Sequence, residues 1–346
     1  MQRLASVLLG CLFLTCLRAR AQQPPVESAA STPLFHISSN LVLLDAIVAQ
    51  RKTGRLATTL TASDFTLAED GVPQKIRYFS QDKLPLSIVL LFDLTQTVQP
   101  ELKNLGAGAL DVLAHLKPED EVAVMTFSSS TQMLQPFTTN HAAVAAAIQR
   151  AAQSKSNEGT FIDEDVYEGA DAALKATIPD SRRVLVFFTD GTANYANPLT
   201  RKLYGKSAPA RLHSHAEARE ELLRTGVTVS ALIDRSVVTD AAIAMSAVNP
   251  FAYVLGADPR LNDVRHFAAE TGGPVLSGGG HQVAAKLGSL IEELRGRYTI
   301  GYVPTAAHPA GTFCRLTLKL APSTLAAHPE LKRDRYAVQT RAGYYR

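Results

Sequence analysis

The run Leu86-Ser87-Ile88-Val89-Leu90-Leu91-Phe92, followed at once by Asp93-Leu94-Thr95-Gln96-Thr97, decides how the chain is read. A stretch with no charge and no polar alternation has no face to offer to water. It suits a strand covered on both sides, as in a parallel sheet. Downstream, Leu102, Leu105, Leu110, Leu113 and Leu116 recur at near-helical spacing, and Lys117-Pro118 stops that helix. Residues 122–127 form a second apolar run, 141–152 and 166–176 read as helices, and 184–188 is another strand. A helix at 214–224, a strand at 227–233, a helix at 262–270, a short strand at 274–276 and a helix at 283–294 follow. Strands alternating with helices predict the α/β class, with a doubly wound, mostly parallel sheet over residues 84–296.

The pattern differs on either side. Leu41, Leu43, Leu44, Ala46 and Val48 form one apolar run, and Phe65 and Leu67 lead into an Asp70-Gly71 turn with Ile76, Tyr78 and Phe79 on the return. After Arg297, strands are expected at 298–303, 313–320 and 336–345. Each flank, 34–83 and 297–346, has about 50 residues, too few to bury a core alone. The two are therefore expected to pack together as one small accessory β domain. Cys314 falls on the apolar face of its strand with Leu316, Leu318 and Leu320, which reads as a small buried hydrophobe.

Arg3, the apolar stretch 4–17 and Ala19-Arg20-Ala21 have the form of a signal peptide over 1–21. The apolar stretch is shorter than the roughly 20 residues of a membrane span. Residues 22–33 read as a flexible leader, and the chain is expected to be exported, to the periplasm or outside, with no stable membrane span. Cys11 and Cys16 leave with the signal, so Cys314 stands alone and no internal disulfide is expected. Across the 346 residues, 46% are hydrophobic and 19% charged, which describes an ordinary globular chain. The net charge is +3, and the basic stretches (Arg201-Lys202 with Lys206, Lys332-Arg333 with Arg335) are short and lack interleaved aromatics, which argues against a nucleic-acid surface.

In an open parallel sheet, ligands bind beyond the carboxyl ends of the strands. The segments there are Asp93-Leu94-Thr95-Gln96-Thr97, Thr189-Asp190-Gly191-Thr192 and, ahead of a helix, Gly159-Thr160. Two carboxylates and three hydroxyls with no His or Cys among them are hard oxygen donors, suited to Mg²⁺, Mn²⁺ or Ca²⁺ rather than zinc. Few anionic ligands leave such an ion electrophilic, so that a partner's carboxylate can complete its shell. The plainer alternative is that Asp93 and Thr95 cap the next helix and Asp190-Gly191 is a simple turn.

These residues resemble the metal-ion-dependent adhesion site of von Willebrand factor type A domains, which runs Asp-x-Ser-x-Ser, then a distant Thr, then a distant Asp. The resemblance maps onto Asp93, Thr95 and Thr97, then Thr160, then Asp190. It implies that the three threonines offer hydroxyls to a divalent ion, Mg²⁺ foremost, while the two aspartates act mainly through water. It also implies a protein partner that supplies an acidic side chain, and no catalysis. Both serines of the pattern are threonines here, and its common glycine is Gln96. The stretch 65–76, Glu270-Thr271-Gly272-Gly273, Tyr298-Thr299-Ile300-Gly301-Tyr302 and Arg341-Ala342-Gly343-Tyr344-Tyr345 extend the resemblance to the exported bacterial "VWFA-related" family typified in Acidobacteria.

Two other classes stay in view. A metal-dependent hydrolase or phosphatase would use Asp93 and Asp190, yet it lacks a positioned base or nucleophile. A structural module with a degenerate metal site is the other. Ser128–Ser130 follow a strand without a Gly-x-Ser-x-Gly elbow, and His213 and His215 read as loop or helix-face residues. Asp163-Glu164-Asp165 reads as a solvated acidic helix start rather than a second cation patch.

Overall fold

The computed structural model describes residues 41–81, 84–96, 98–107, 113–191, 212–233, 263–278 and 282–346. The expected signal peptide at 1–21 and leader at 22–33 lie outside the described residues, as does Thr97.

Strand β5 (Leu86–Asp93) is buried along all eight residues. Its side chains divide by parity, as the period of a strand requires. Leu86, Ile88, Leu90 and Phe92 pack on one face against α1 (Gln99–Ala107), α2 (His141–Gln153) and α6 (Val283–Arg295). Val89 and Leu91 pack on the other against α3 (Ile162–Ala173), α4 (His215–Thr225) and α5 (Val264–Thr271). Two cores on two faces explain why the run never alternates. The protein is an α/β chain whose central sheet runs β10 (Val275–Ser277), β9 (Thr228–Ile233), β8 (Arg182–Thr189), β5, β6 (Glu121–Phe127), β7 (Thr131–Thr138). Every pairing is parallel except that of β7, an antiparallel edge strand. Its half-polar, half-exposed run did not read as a strand in the sequence.

The flanks form two antiparallel sheets. One runs β13 (Tyr336–Thr340), β1 (Val42–Gln50), β11 (Tyr298–Tyr302), β4 (Ile76–Ser80). The other runs β14 (Gly343–Tyr345), β12 (Phe313–Leu320), β2 (Phe65–Glu69), β3 (Val72–Gln74). Leu44, Ala46, Tyr298 and Ile300 of the first share one core with Phe65, Leu67, Leu316 and Leu318 of the second. Two sequence expectations change here. The return after Asp70-Gly71 is the short β3, and Ile76, Tyr78 and Phe79 belong to the other sheet. The strand expected at 336–345 is two strands, one in each sheet, and Arg341-Ala342 makes the crossing. Two short helices, α7 (Pro322–Ala327) and α8 (Pro329–Arg333), precede β13.

Buried arginines join the flanks to the central sheet. Arg182, at the start of β8, donates to the carbonyls of Arg295 (3.1 Å) and Arg297 (3.0 Å), to Thr299 Oγ1 (3.0 Å) and to Asp45 Oδ1 of β1 (3.3 Å). Arg297 donates to the Gly272 carbonyl and to Thr228 Oγ1. A guanidinium carries five donors in a fixed fork, so one side chain can hold several elements at once.

Candidate functional site

From β5 the chain passes to β6 on one side and later returns to β8 on the other. The switch point of the sheet therefore lies at the carboxyl ends of β5 and β8, where a crevice opens in doubly wound folds. Asp93 ends β5, and Thr189-Asp190 ends β8 and enters the turn at Gly191. Thr160 stands just ahead of α3. All four carry little exposure: Thr160 and Thr189 are fully buried, Asp93 and Asp190 nearly so.

Asp93 is tightly held. Its Oδ1 accepts the Thr95 N–H at 2.8 Å, and its Oδ2 accepts the Thr189 hydroxyl at 2.8 Å. Thr189 Oγ1 in turn accepts the Gly191 N–H at 3.1 Å, so one hydroxyl braces both strand ends. Gly191 has φ +95°, and a side chain there would press on the Arg265 guanidinium. Burial pushes the Asp93 carboxyl up to about 6; hydrogen bonds from the Thr95 side chain and backbone and from Thr189 oppose the rise, and the charge of Asp190 adds to it. Asp93 does not cap α1, which begins only at Gln99; its Oδ1 binds the N–H of Thr95 instead.

The neighbouring loops are tied in. Leu94 N–H donates to the Phe127 carbonyl at 3.0 Å, Ser156 N–H to the Leu94 carbonyl at 3.1 Å, and the Gln96 side chain to Asn157 Oδ1 at 2.8 Å. Ser129, central in the serine run after β6, is buried and donates to Glu158. That is a structural use of the serine.

Asp163-Glu164-Asp165 is not a solvated patch. Glu164 and Asp165 are buried, and Asp163 and Glu164 face the histidines at the start of α4. Glu164 Oε2 lies 3.0 Å from His213 Nδ1 and accepts the His213 N–H at 2.7 Å; Asp163 Oδ1 lies 2.9 Å from His215 Nδ1. Asp165 is buried with both carboxylate oxygens lacking a hydrogen-bond partner. Burial first, then the charges of Asp93, Glu164 and Asp163, raise its carboxyl well above the ordinary carboxylate range. The sequence reading quoted Thr189 within its segment without giving it a role, and it read Asp165 as solvated, whereas both are buried. The available signal for Thr189 was its place at the end of an apolar strand; Asp165 sits in an acidic run that nothing local marks as buried.

The donors gathered here are hard oxygens, and a buried carboxylate with two orphaned oxygens stands near them. That chemistry fits a divalent cation, which would neutralise acids held out of water; Asp93, Thr95 and Asp190 are the residues that would hold it, with Thr160 just ahead of α3.

An open, mostly parallel sheet with hydroxyls and carboxylates at its switch point defines a doubly wound α/β domain with an acidic loop cluster. More particularly, residues 88–192 match the von Willebrand factor type A domain family, and the chain carries such a domain. The match spans Asp93, Thr95, Thr97, Thr160 and Asp190. No curated protein is matched. Among solved structures, the chain is similar to the conserved hypothetical protein BatB from Bacteroides thetaiotaomicron, at 14% identity over 60% of this chain and 97% of that one, TM-score 0.41. It is also similar to a von Willebrand factor type A protein from Catenulispora acidiphila, at 12% identity over 82% of this chain and 70% of that one, TM-score 0.43. A third likeness, to an aerotolerance-related membrane protein from Bacteroides fragilis, has 15% identity over 60% and 99% of the two chains and a TM-score of 0.38. Likenesses this remote carry nothing about activity or partner. No helix among the described residues is long and apolar enough to cross a membrane.

Proposed function

We propose that this is an exported, non-enzymatic binding protein that captures a protein partner through a divalent cation, Mg²⁺ foremost, at Asp93, Thr95, Thr97, Thr160 and Asp190. The observation that carries the reading is the buried Asp93 carboxyl, raised by desolvation and by Asp190 and held in place by Thr95 and Thr189. Acids kept together out of water at a loop edge are costly to the apo fold, and a cation offsets that cost. With two aspartates acting mainly through water, the ion keeps enough charge to draw a carboxylate from the partner. Export rests on the signal-like segment at 1–21.

The test uses immobilised protein loaded with Mg²⁺ and exposed to the exported-protein fraction of its source cells. The reading predicts a bound protein that EDTA releases and that Asp190→Ala does not retain. Its binding should also fail when one surface carboxylate of that partner is amidated. An unchanged bound set in EDTA contradicts the proposal, as does ester or phosphoester turnover by the Mg²⁺ or Mn²⁺ form that Asp93→Ala abolishes.

A further inference from the structure

Outside the Asp93 cluster, the flanking strands and loops bring together a second group of ligating side chains with different chemistry. On β2 the residues Phe65, Leu67 and Glu69 share the inward face, so the strand ends by pointing a carboxylate into an otherwise apolar core. Glu69 is 2% exposed. Its Oε2 accepts the hydroxyls of Tyr302 and of Tyr344, the latter at 3.0 Å. Its Oε1 is buried and makes no hydrogen bond. A buried oxygen left in that state is costly unless something else satisfies it.

Three further ligand types surround that oxygen. His308, in the loop between β11 and β12, holds Nε2 at 3.4 Å from Glu69 Oε1 and 3.8 Å from Asp70 Oδ2. Asp70 occupies the tight turn after β2 with φ +49°, and its Oδ1 accepts the Arg315 N–H at 3.0 Å. Cys314, next along β12, is fully buried. One ligand atom from each of Glu69, Asp70, His308 and Cys314 lies within 4.8 Å of the other three. In a tetrahedral zinc site, bonds of about 2.0–2.3 Å put the ligand atoms roughly 3.3–3.8 Å apart. The two histidine distances already fall in that range, and the other pairs, none farther apart than 4.8 Å, would close by at most about 1 Å.

We propose that Glu69, Asp70, His308 and Cys314 form a second metal site, four-coordinate and selective for a soft-tolerant tetrahedral ion such as Zn²⁺. The donor set decides the selectivity. A thiolate and an imidazole favour zinc over Mg²⁺ or Ca²⁺, whereas the Asp93 cluster offers oxygen alone. On binding, the Cys314 thiol gives its proton to solvent and its sulfur to the metal. The Tyr302 and Tyr344 hydroxyls orient Glu69 from behind, the role that outer hydrogen bonds play for metal ligands. The ligands come from β2 and its turn, from the neighbouring β12 and from the loop after β11, so the ion would clip that loop to the paired ends of β2 and β12. Among the described residues Cys314 is the one cysteine, so no disulfide performs that task there.

The experiment titrates Zn²⁺ into metal-stripped protein held in saturating Mg²⁺, by calorimetry, with Co²⁺ absorption as a second probe. One equivalent of Zn²⁺ should bind. His308→Ala and Cys314→Ser should each weaken it by at least about tenfold, since losing a ligand costs no less than losing its outer partner. His308→Ala should keep wild-type Mg²⁺ binding, which separates this site from the Asp93 cluster. The wild-type Co²⁺ form should show tetrahedral bands and a thiolate charge-transfer absorption. His308 lies in a loop with a partly exposed side chain, so its variant decides the matter even where Cys314→Ser does not fold. The proposal is overturned when wild type takes up no stoichiometric Zn²⁺, when His308→Ala binds Zn²⁺ as wild type does, or when the Co²⁺ form lacks the thiolate absorption.

Discussion

Asp93 sits where the strand ends and the loop begins, and its environment sets a measurable pH response. Its folded carboxyl titrates at about 6, above the ordinary value of 3.8, because burial and Asp190 disfavour the charge. A carboxyl with a raised folded value keeps its proton longer in the folded chain than in the unfolded one. Its contribution is therefore neutral below about pH 4, becomes unfavourable as pH rises through the window from 3.8 to about 6, and is constant above it. At about 1.4 kcal/mol per pH unit, the full cost is about 3 kcal/mol. Metal-stripped wild type should thus lose about that much stability relative to Asp93→Asn between pH 4 and pH 7 in urea denaturation. A difference that does not change with pH would show that Asp93 is not desolvated as described. At this scale, the sequence exposed the residues whose type and place both speak: Asp93, Thr95, Thr160 and Asp190 are polar residues that follow apolar runs or precede a helix. Thr189 and Asp165 were hidden because their roles depend on a strand partner and on burial, which no local pattern encodes.

Elements show the same division. The unbroken apolar run of β5 was legible because it must satisfy two cores, and the helices of the central domain were legible by their periodicity. The crossing at Arg341-Ala342 was not, because a chain that changes sheets keeps the same alternation on both sides of the bend. Nor does either flank alone carry the register that sets Val42 opposite Tyr302 and Leu67 opposite Leu318. The Gly272-Gly273 pair shows how a short motif becomes an element boundary. Gly272 closes α5 with φ +71°, and a Cβ there would lie 2.4 Å from the Thr340 carbonyl carbon of β13. A Cβ on Gly273 would lie 1.7 Å from the Val229 carbonyl oxygen of β9. Both neighbours are backbone, so neither can turn aside. Gly54, also at positive φ (+73°), has open space around it. Gly54→Ala should cost only the conformational penalty of a left-handed backbone, about 1–2 kcal/mol. Gly272→Ala should add roughly 1–3 kcal/mol of overpacking and melt several degrees lower. Equal melting temperatures for the two variants would contradict the close packing of α5 against β13.

For the molecule as a whole, topology does what no segment does alone. Thr189 reaches Asp93 across 96 positions of sequence because β8 returns beside β5 after the chain has built β6, β7 and the helices α1, α2 and α3. The loops therefore converge only in the folded protein, and an ion held by them binds the native state and not the unfolded one. The central claim, that Asp93, Thr95, Thr97, Thr160 and Asp190 hold one divalent cation, is tested most directly by titrating Mg²⁺ and Mn²⁺ into metal-stripped protein in a calorimeter. One equivalent should bind to wild type. Asp190→Ala, which removes one of two carboxylates, should abolish the signal, and Thr95→Val, which keeps the shape but loses the oxygen, should bind poorly. Thr95→Ser, which keeps the hydroxyl and sheds a methyl, should bind at least as well as wild type. Full metal affinity in both Asp190→Ala and Thr95→Val, with the fold intact, would contradict the account.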